Sequence, residues 1–359
     1  MFRILAVHPR RNATRIALFE DRFEIRRQEI RHDRAELEKI PTISGQWSHR
    51  LRALEELLGE WGVPGDGRLD AVIGPAGIPG GLPGGVYAVD RDLLDRMKKG
   101  EDEEHYIDLG ATLADSIARI RKARPFAVIA LSSLEFDPIS RVSGVPMLSF
   151  GKMLHALRVK NVAYLAAEDL GIPFEKLSVV VAYLGKSFSI CAHAEGRVRD
   201  LTNSNERGPF SPARSGSIPA AEIVRMAYSG MWSRDNLIAK VGIDGGVKDH
   251  IGTDSLLELA KRTAMGDSQA GLVYRSMAYQ IASEIAAQAT VLRGRVDAIA
   301  LTGGCTRDEV FVEVIKDRIA WISDTILIYR TEDELQSMAN SALRILEKKE
   351  RLYTIGEVS

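Results

Sequence analysis

The chain has 359 residues, 45% hydrophobic and 27% charged, which is the balance of a soluble globular protein of about two domains. Lys plus Arg, 48, against Asp plus Glu, 49, leaves a formal charge of -1, so no bulk charge draws it to nucleic acid or to an anionic membrane. The apolar runs fall far short of the roughly 18 residues of a spanning helix. MFRILAVHP has no signal-peptide core, and Cys191 and Cys305 are too few for a disulfide framework or a thiolate zinc site. A cytoplasmic protein is expected, with no nucleic-acid or membrane partner and no metal site.

Phe2 to Val7 and Thr14 to Phe19 predict the strands of a hairpin, with polar His8 to Ala13 between them. Ala35 to Ile40 and Trp47 to Trp61 have helical spacing, the second stopping before Gly62 and Pro64. Leu69 to Ile73 predicts a short buried strand opening into GPAGIPGGLPGG, Gly74 to Gly85. Leu109 to Ala123 predicts a helix, and Phe126 to Leu131 a strand buried on both faces.

The second half repeats this order. Ser178 to Leu184 is a strand running into Gly185, Ser187 to Ala194 its hairpin partner, and Val198 to Leu201 a third strand. Helices are predicted at Ala220 to Tyr228, Ser255 to Ala264 and Leu272 to Leu292; Met277, Ile281, Ile285 and Ala289 make one apolar stripe on the last. Asp297 to Leu301 is a strand ending at TGG, and Glu334 to Leu346 a closing helix. An α/β pattern occurring twice predicts two domains, 1–150 and 151–333, with the closing helix, 334–347, packing back on the first.

Gly303 and Gly304 follow a strand, where α/β folds bind ligands and where glycine lets backbone approach them. A tight turn without a ligand explains TGG equally well. GPFSPARSG, Gly208 to Gly216, is a stiff loop presenting Arg214, whose planar fork suits carboxylate or phosphate. His155, in KMLHALRVK, falls on a predicted helix, where a hydrogen-bonded structural histidine is the commoner case. His8 ends a strand at the hairpin mouth with no ligand partner at metal spacing. Arg10 and Arg11 beside it either hold an anion or are solvated. Cys305 reads as incidental to TGG.

Several segments together resemble the acetate/butyrate kinase family, its butyrate kinase branch above all, within the superfamily of actin, sugar kinases and heat-shock ATPases. The likeness runs over nearly the whole chain and is clearest in GPFSPARSG, in Ser276 to Gly304, in ISRVSG (Ile139 to Gly144), in KMLHAL (Lys152 to Leu157) and in SALRIL (Ser341 to Leu346). It implies duplicated actin-like ATPase (RNase H-like) α/β domains with an interdomain cleft. It further implies ATP and magnesium as cofactors, acyl phosphate formation from a carboxylate, and an oligomer. GMWSRD (Gly230 to Asp235), Met277 and Tyr279 offer apolar material for that oligomer's interface or for the core.

The departures from the family pattern fall at its chemistry. The first phosphate hairpin, N-P-G-S-T-S-T-K in the family, reads HPRRNATR, His8 to Arg15, with His8 for the metal-side asparagine and Arg10 for the glycine. The family's G-R-G-G reads GPAG, with Pro75 for the arginine that handles the substrate carboxylate. The acid expected after the strand near Phe126 is replaced by Ile129, with Ala130, Ser132 and Ser133 nearby. The second phosphate loop, A-H-M-G-G-G, reads AYLGKSF, keeping Gly185 but bringing Tyr183, Lys186 and Ser187. Near the adenosine pocket, G-T-N-D-A-R becomes GTDSLL, with Ser255 and Leu257.

By resemblance, Arg214 and His155 are the catalytic candidates, and Lys152 is also kept. Gly303, Gly304, Gly185 and Ser187 are the nucleotide-binding candidates. Arg10, Arg11, Asn203 and Lys186 line an anion or substrate cleft. Phosphoryl transfer is mostly positioning and charge stabilisation. Losses at five places therefore predict a catalytically degenerate butyrate-kinase-like protein serving as a binding or partner subunit, in a homo-oligomer or a complex with a linked protein. The alternatives are an active carboxylate kinase with relocated groups (Arg10, Arg11 or Lys186), and a nucleotide or acyl-phosphate sensor without turnover. At least one of Arg10 and Arg11 is expected to face solvent or an acidic partner, because the acids the family keeps nearby are missing.

Overall fold

Polar residues at the end of a strand pair as readily as apolar ones, because the ladder is made by backbone. In the computed structural model, which describes residues 1–63, 68–77, 82–98, 106–129, 136–150, 155–330 and 333–358, the first hairpin therefore runs further than its apolar core. Strands β1 (Arg3–Arg10) and β2 (Ala13–Glu20) pair from Arg3↔Glu20 to Arg10↔Ala13, so the expected polar loop shrinks to Arg11 and Asn12. Lys152, Ala130, Ser132, Ser133 and residues 78–81 of the glycine-rich stretch lie outside the described residues.

The chain divides into two compact units: Met1–Leu134 with Ala156–Asn161 and Asp333–Ser359, and Glu135–His155 with Val162–Glu332. The closing helix, Glu334–Leu346, belongs to the first unit. Residues 135–150 group with the second unit, where the sequence-based boundary at 150 had assigned them to the first.

The first unit holds seven strands in the order β12-β5-β6-β4-β1-β2-β3. Its remaining members are β3 (Phe23–Arg31), β4 (Ala71–Ala76), β5 (Gly85–Ala88), β6 (Arg124–Ile129) and β12 (Leu352–Tyr353). β4 lies parallel to both β1 and β6. Leu5, Val7 and Val72 face the helices Trp47–Glu60 and Leu109–Arg121 through Leu54, Leu58 and Ile117. Ile4, Ala6 and Ile73 face the closing helix through Met338, Ala339 and Ala342. Gly74 and Gly110 let β4 and the helix Leu109–Arg121 meet at contact distance. β3 was not anticipated: all its residues but Ile30 are exposed, so it has no apolar face for a pattern to reveal.

The second unit holds five strands in the order β11-β10-β7-β8-β9. These are β7 (Val179–Leu184), β8 (Phe188–Ala194), β9 (Arg197–Asn203), β10 (Ala298–Thr302) and β11 (Ile326–Tyr329). The helix Ser268–Val291 buries the expected stripe, with Met277, Ile281 and Ile285 at 0% exposure, so Met277 is core and not interface material. Tyr279 stays outside at 56%. Helix starts are set by short polar side chains: Ser255 accepts from Glu258 N, Asp267 from Ala270 N, and Asp333 from Gln336 N. No helix among the described residues is long and apolar enough to cross a membrane.

Candidate functional site

In the second unit β7 and β10 run parallel side by side, with Thr302 opposite Tyr183, so their carboxyl ends bring Gly185 and Gly303 together. Gly303 has φ +99°, and a Cβ there would stand 2.6 Å from the Leu184 carbonyl. A Cβ at Gly185 would stand 2.5 Å from the Tyr183 hydroxyl. Gly303 therefore needs glycine, whereas at Gly185 the Tyr183 side chain would have to swing aside. Gly304, by contrast, faces open space, so only Gly303 of that pair is sterically required. The turn is pinned by Thr306 Oγ1, which donates to Gly303 O at 2.7 Å, and by Cys305 Sγ, 3.6 Å from Gly185 O.

His155 is not inside a helix, as expected, but immediately before one: with ψ 58° it precedes Ala156–Leu170. That frees its ring to face the β7–β8 turn. Nδ1 shares a 2.8 Å hydrogen bond with Ser189 Oγ, Nε2 lies 3.5 Å from Ser187 Oγ, and the ring centroid stands 4.6 Å from that of Tyr183. Ser189 pairs across the sheet with Asn203, a buried residue whose Oδ1 accepts from Asn205 N at 2.8 Å. Ser189 was missed in the sequence. Its one signal was its place two residues after Ser187, hence on the same face.

The Arg214 loop is fastened to the same turn. Ser211 Oγ donates to Lys186 O at 2.8 Å and accepts from Arg214 N at 3.2 Å, while Ala213 N donates to Lys186 O at 3.3 Å. Gly246, at φ +63°, allows close backbone contact with Ser211 and Arg214. The half-buried Arg214 guanidinium has no ion pair or hydrogen bond among the described residues, and its Nη1 faces Gly242. Lys186, 79% exposed, reaches Asp254 Oδ2 at 2.6 Å and so already has its anion. Ser255 spends its hydroxyl on a helix cap, and Leu257 is 67% exposed.

The other expected residues sit on the hairpin of the first unit. Arg10 Nη2 donates to Glu334 Oε2 at 3.2 Å, His8 Nε2 lies 3.4 Å from the same oxygen, and Arg158 Nη2 is 3.1 Å from Oε1. Burial alone would raise the Glu334 carboxyl, but the charges of His8, Arg158 and Arg10 outweigh it and hold it down to about 2. Burial, with Arg10, Arg15 and Arg158, pushes His8 down against the pull of Glu334. The expectation that no acid attends these arginines is thus corrected: Glu334, distant in sequence, supplies one. Arg11 is exposed, as expected for at least one of the pair. Pro75 lies within β4, against Gly110, and Ile129 is buried at the end of β6.

The second-unit turn offers a glycine-walled backbone, the hydroxyls of Ser187 and Ser189 and the His155 imidazole, a set that fits a phosphate-bearing ligand, while the Arg214 loop is fastened beside it through Ser211 and its own backbone. Gly185, Ser187 and Gly303 would hold phosphate oxygens. No three His, Cys, Asp or Glu side chains converge to hold a metal among the described residues. Cys305 is no nucleophile, because burial raises its thiol to about 12.

The acetokinase family pattern matches residues 152–355. Among solved structures, the chain is similar to an acetate kinase from Porphyromonas gingivalis, with a TM-score of 0.78 at 14% identity over 97% of this chain and 100% of that one. A propionate kinase from Francisella tularensis subsp. tularensis SCHU S4 gives 0.73 at 16% identity, over 95% and 99%. The acetate kinase of Entamoeba histolytica gives 0.74 at 12% identity, over 98% and 99%. At these identities the likeness establishes the actin-like ATPase fold. With more than half of its length matched by the family pattern, the chain belongs to the acetokinase family.

Proposed function

We propose that this acetokinase-family chain is a butyrate-kinase-like protein that binds a phosphate-bearing ligand in its second unit but does not transfer the phosphoryl group. It serves as a binding or partner subunit in a reducing, cytoplasmic compartment. The observation that carries this reading is the shared Glu334 oxygen. His8 and Arg10 stand where the related hairpins carry asparagine and glycine, and both are engaged by one carboxylate. Neither is left to hold a metal or to make room for a transferred group. Lys186, a candidate for relocated chemistry, is likewise paired with Asp254.

The test is acyl phosphate formation from ATP, magnesium and butyrate, trapped with hydroxylamine. The expected result is no product above background; turnover in the usual kinase range of about 1–100 s⁻¹ would establish an active kinase instead. The Arg214 guanidinium, which has no ion pair or hydrogen bond among the described residues, favours one second reading, a nucleotide or acyl-phosphate sensor. Calorimetric binding of a nonhydrolysable ATP analogue without turnover is common to both readings, and a change in sedimentation on its addition would identify the sensor.

An oligomer completes the proposal. The helices Ala220–Tyr228 and Arg234–Gly242 bury no residue and flank an apolar groove lined by Ile223, Trp232, Leu237, Ile238 and Val241. Tyr228 and Met231 beside it are 89% and 80% exposed. A second copy of this chain covering that face would remove the exposed apolar surface. Sedimentation of Met231→Asp as a monomer and of the parent as a dimer is the expected result.

A further inference from the structure

We propose that β3 is a docking edge for a second copy of this chain: two β3 strands pair antiparallel about a two-fold axis at Gln28, with Arg27 of each opposite Glu29 of the other. β3 ends the seven-stranded sheet, and every residue from Phe23 to Glu29 is exposed. Its open side carries a defined set of backbone groups. His32 N donates to Asn12 O at 3.0 Å, so these two residues form a hydrogen-bonded pair at the end of the β2–β3 ladder. Such pairs alternate along an antiparallel ladder, and the register runs unbroken from Ala13↔Arg31 to Leu18↔Arg26. Ile30, Gln28 and Arg26 therefore turn their N–H and C=O groups toward β2, and Arg31, Glu29 and Arg27 turn theirs out of the sheet. The register shifts between Leu18 and Phe19, so the regular open ladder is the stretch from Arg26 to Arg31. An extended strand can add there by backbone hydrogen bonds alone.

The side chains choose the occupant and the register. A two-fold axis normal to the sheet keeps each face on its own side, so it passes through a residue that meets its own copy. Centred on Arg26, Arg27 or Arg31, the pairing sets arginine against arginine; centred on Glu29, it sets carboxylate against carboxylate and Arg27 against Arg31. Like charges directly opposite are destabilising, which is how charged edge strands ordinarily resist pairing. A centre at Ile30 leaves only Glu29 to Arg31 within the strand to pair. Centred on Gln28, the two side-chain amides meet each other and Arg27 faces Glu29 twice, once in each direction. Arg27 already holds Glu24 at 2.5 Å, and Glu29 holds Arg15 at 2.9 Å, so this register joins existing ion pairs into one network. The contact uses residues of the first unit and none of the apolar groove proposed above for the second copy. A pairing this short falls below the roughly 1,000 Å² of a stable interface, so a covalent trap measures it better than sedimentation of dilute protein.

The experiment is oxidation of Gln28→Cys in the full chain, read by non-reducing electrophoresis, and repeated with Met231→Asp added so that failure of the groove contact and of this one are told apart. Facing residues of a non-hydrogen-bonded antiparallel pair lie about 4.5 Å apart at Cα, within disulfide reach. Arg26 stands opposite Ile30 in this register and far from its own copy. Cys191 and Cys305 are buried and do not compete. Gln28→Cys is expected to give a disulfide-linked dimer, with or without Met231→Asp, under conditions in which Arg26→Cys stays monomeric. Adding Glu29→Arg, which sets arginine against Arg27, should abolish the crosslink while Tm holds, since the ion pairs Glu29 loses are exposed. If Gln28→Cys does not fold, a mixture of Arg27→Cys and Glu29→Cys chains, about 5.5 Å apart at Cα when paired, should crosslink where neither does alone. Three results would each overturn the proposal. They are no dimer from Gln28→Cys (or from the mixture, where Gln28→Cys does not fold), equal crosslinking of Arg26→Cys, and a crosslink undiminished by Glu29→Arg.

Discussion

Glu334 Oε2 accepts a hydrogen bond from Arg10 Nη2 at 3.2 Å although 324 positions separate the two residues. The first residue of the closing helix is thereby tied to the hairpin that opens the chain. A carboxylate ringed by His8, Arg10 and Arg158 is strongly held in its charged form, which gives the hairpin a counter-ion supplied by the protein itself.

Glu334 should make stability depend on acid. Its carboxyl lies at about 2 in the folded protein against an ordinary 4.5, so its contribution is fully present above 4.5 and lost as pH falls through 2. Because the side chain is 30% exposed, water screens part of the effect, and Glu334→Gln should cost about 2 kcal/mol at pH 7. Urea denaturation at pH 7 should show this gap, and at pH 2 the gap should nearly close.

His32 should add a second window at higher pH. Burial first, then the charges of Arg50 and His49, lower its imidazole to about 4 from 6.5. A histidine with a depressed folded pKa favours folding while neutral, so stability is present above 6.5 and lost as pH falls toward 4. The full shift amounts to about 3 kcal/mol. Melting curves across pH 4 to 7 should show the fall. His32→Gln, which keeps a partner for Thr14 Oγ1, should flatten it.

The two glycines after β10 should separate cleanly. Gly303→Ala forces a Cβ toward the Leu184 carbonyl at positive φ and should destabilise the fold by about 1–3 kcal/mol while abolishing binding of an ATP analogue. Gly304→Ala meets nothing and should alter stability by less than about 0.5 kcal/mol. Thermal melting and calorimetry on the two variants check both halves.

Arg214→Ala should do the reverse of a structural substitution. Its guanidinium has no partner to lose among the described residues, so Tm should hold within the error of a surface change. Affinity for an ATP analogue or acyl phosphate should drop by about tenfold or more, the value of a charge-assisted hydrogen bond.

The second-unit cluster was largely legible because its residues are local to turns. Gly185, Ser187, Arg214 and Gly303 stand beside prolines, glycines or strand ends that mark loops in the sequence. Ser189 and Ser211 were not, since a buried serine inside a strand or loop looks like any other until its partners are placed. His155 was put on a helix because its neighbours are good helix formers. The helix begins one residue later, and that one step decides that its ring meets Ser187 and Ser189.

Apolar periodicity by itself determined the alternating α/β order, the Met277–Ile281–Ile285 stripe and the bounds of the closing helix, because burial of one face imposes a period that any reader of the sequence can see. Only the tertiary structure decided the electrostatics. Which cation meets which carboxylate depends on distances set by packing: Arg10 to Glu334, Lys186 to Asp254, and Arg50 to the carbonyls of the β1–β2 turn. Hydrogen bonding acts over a few ångströms, Coulomb energy falls with distance in space, and both are indifferent to separation along the chain.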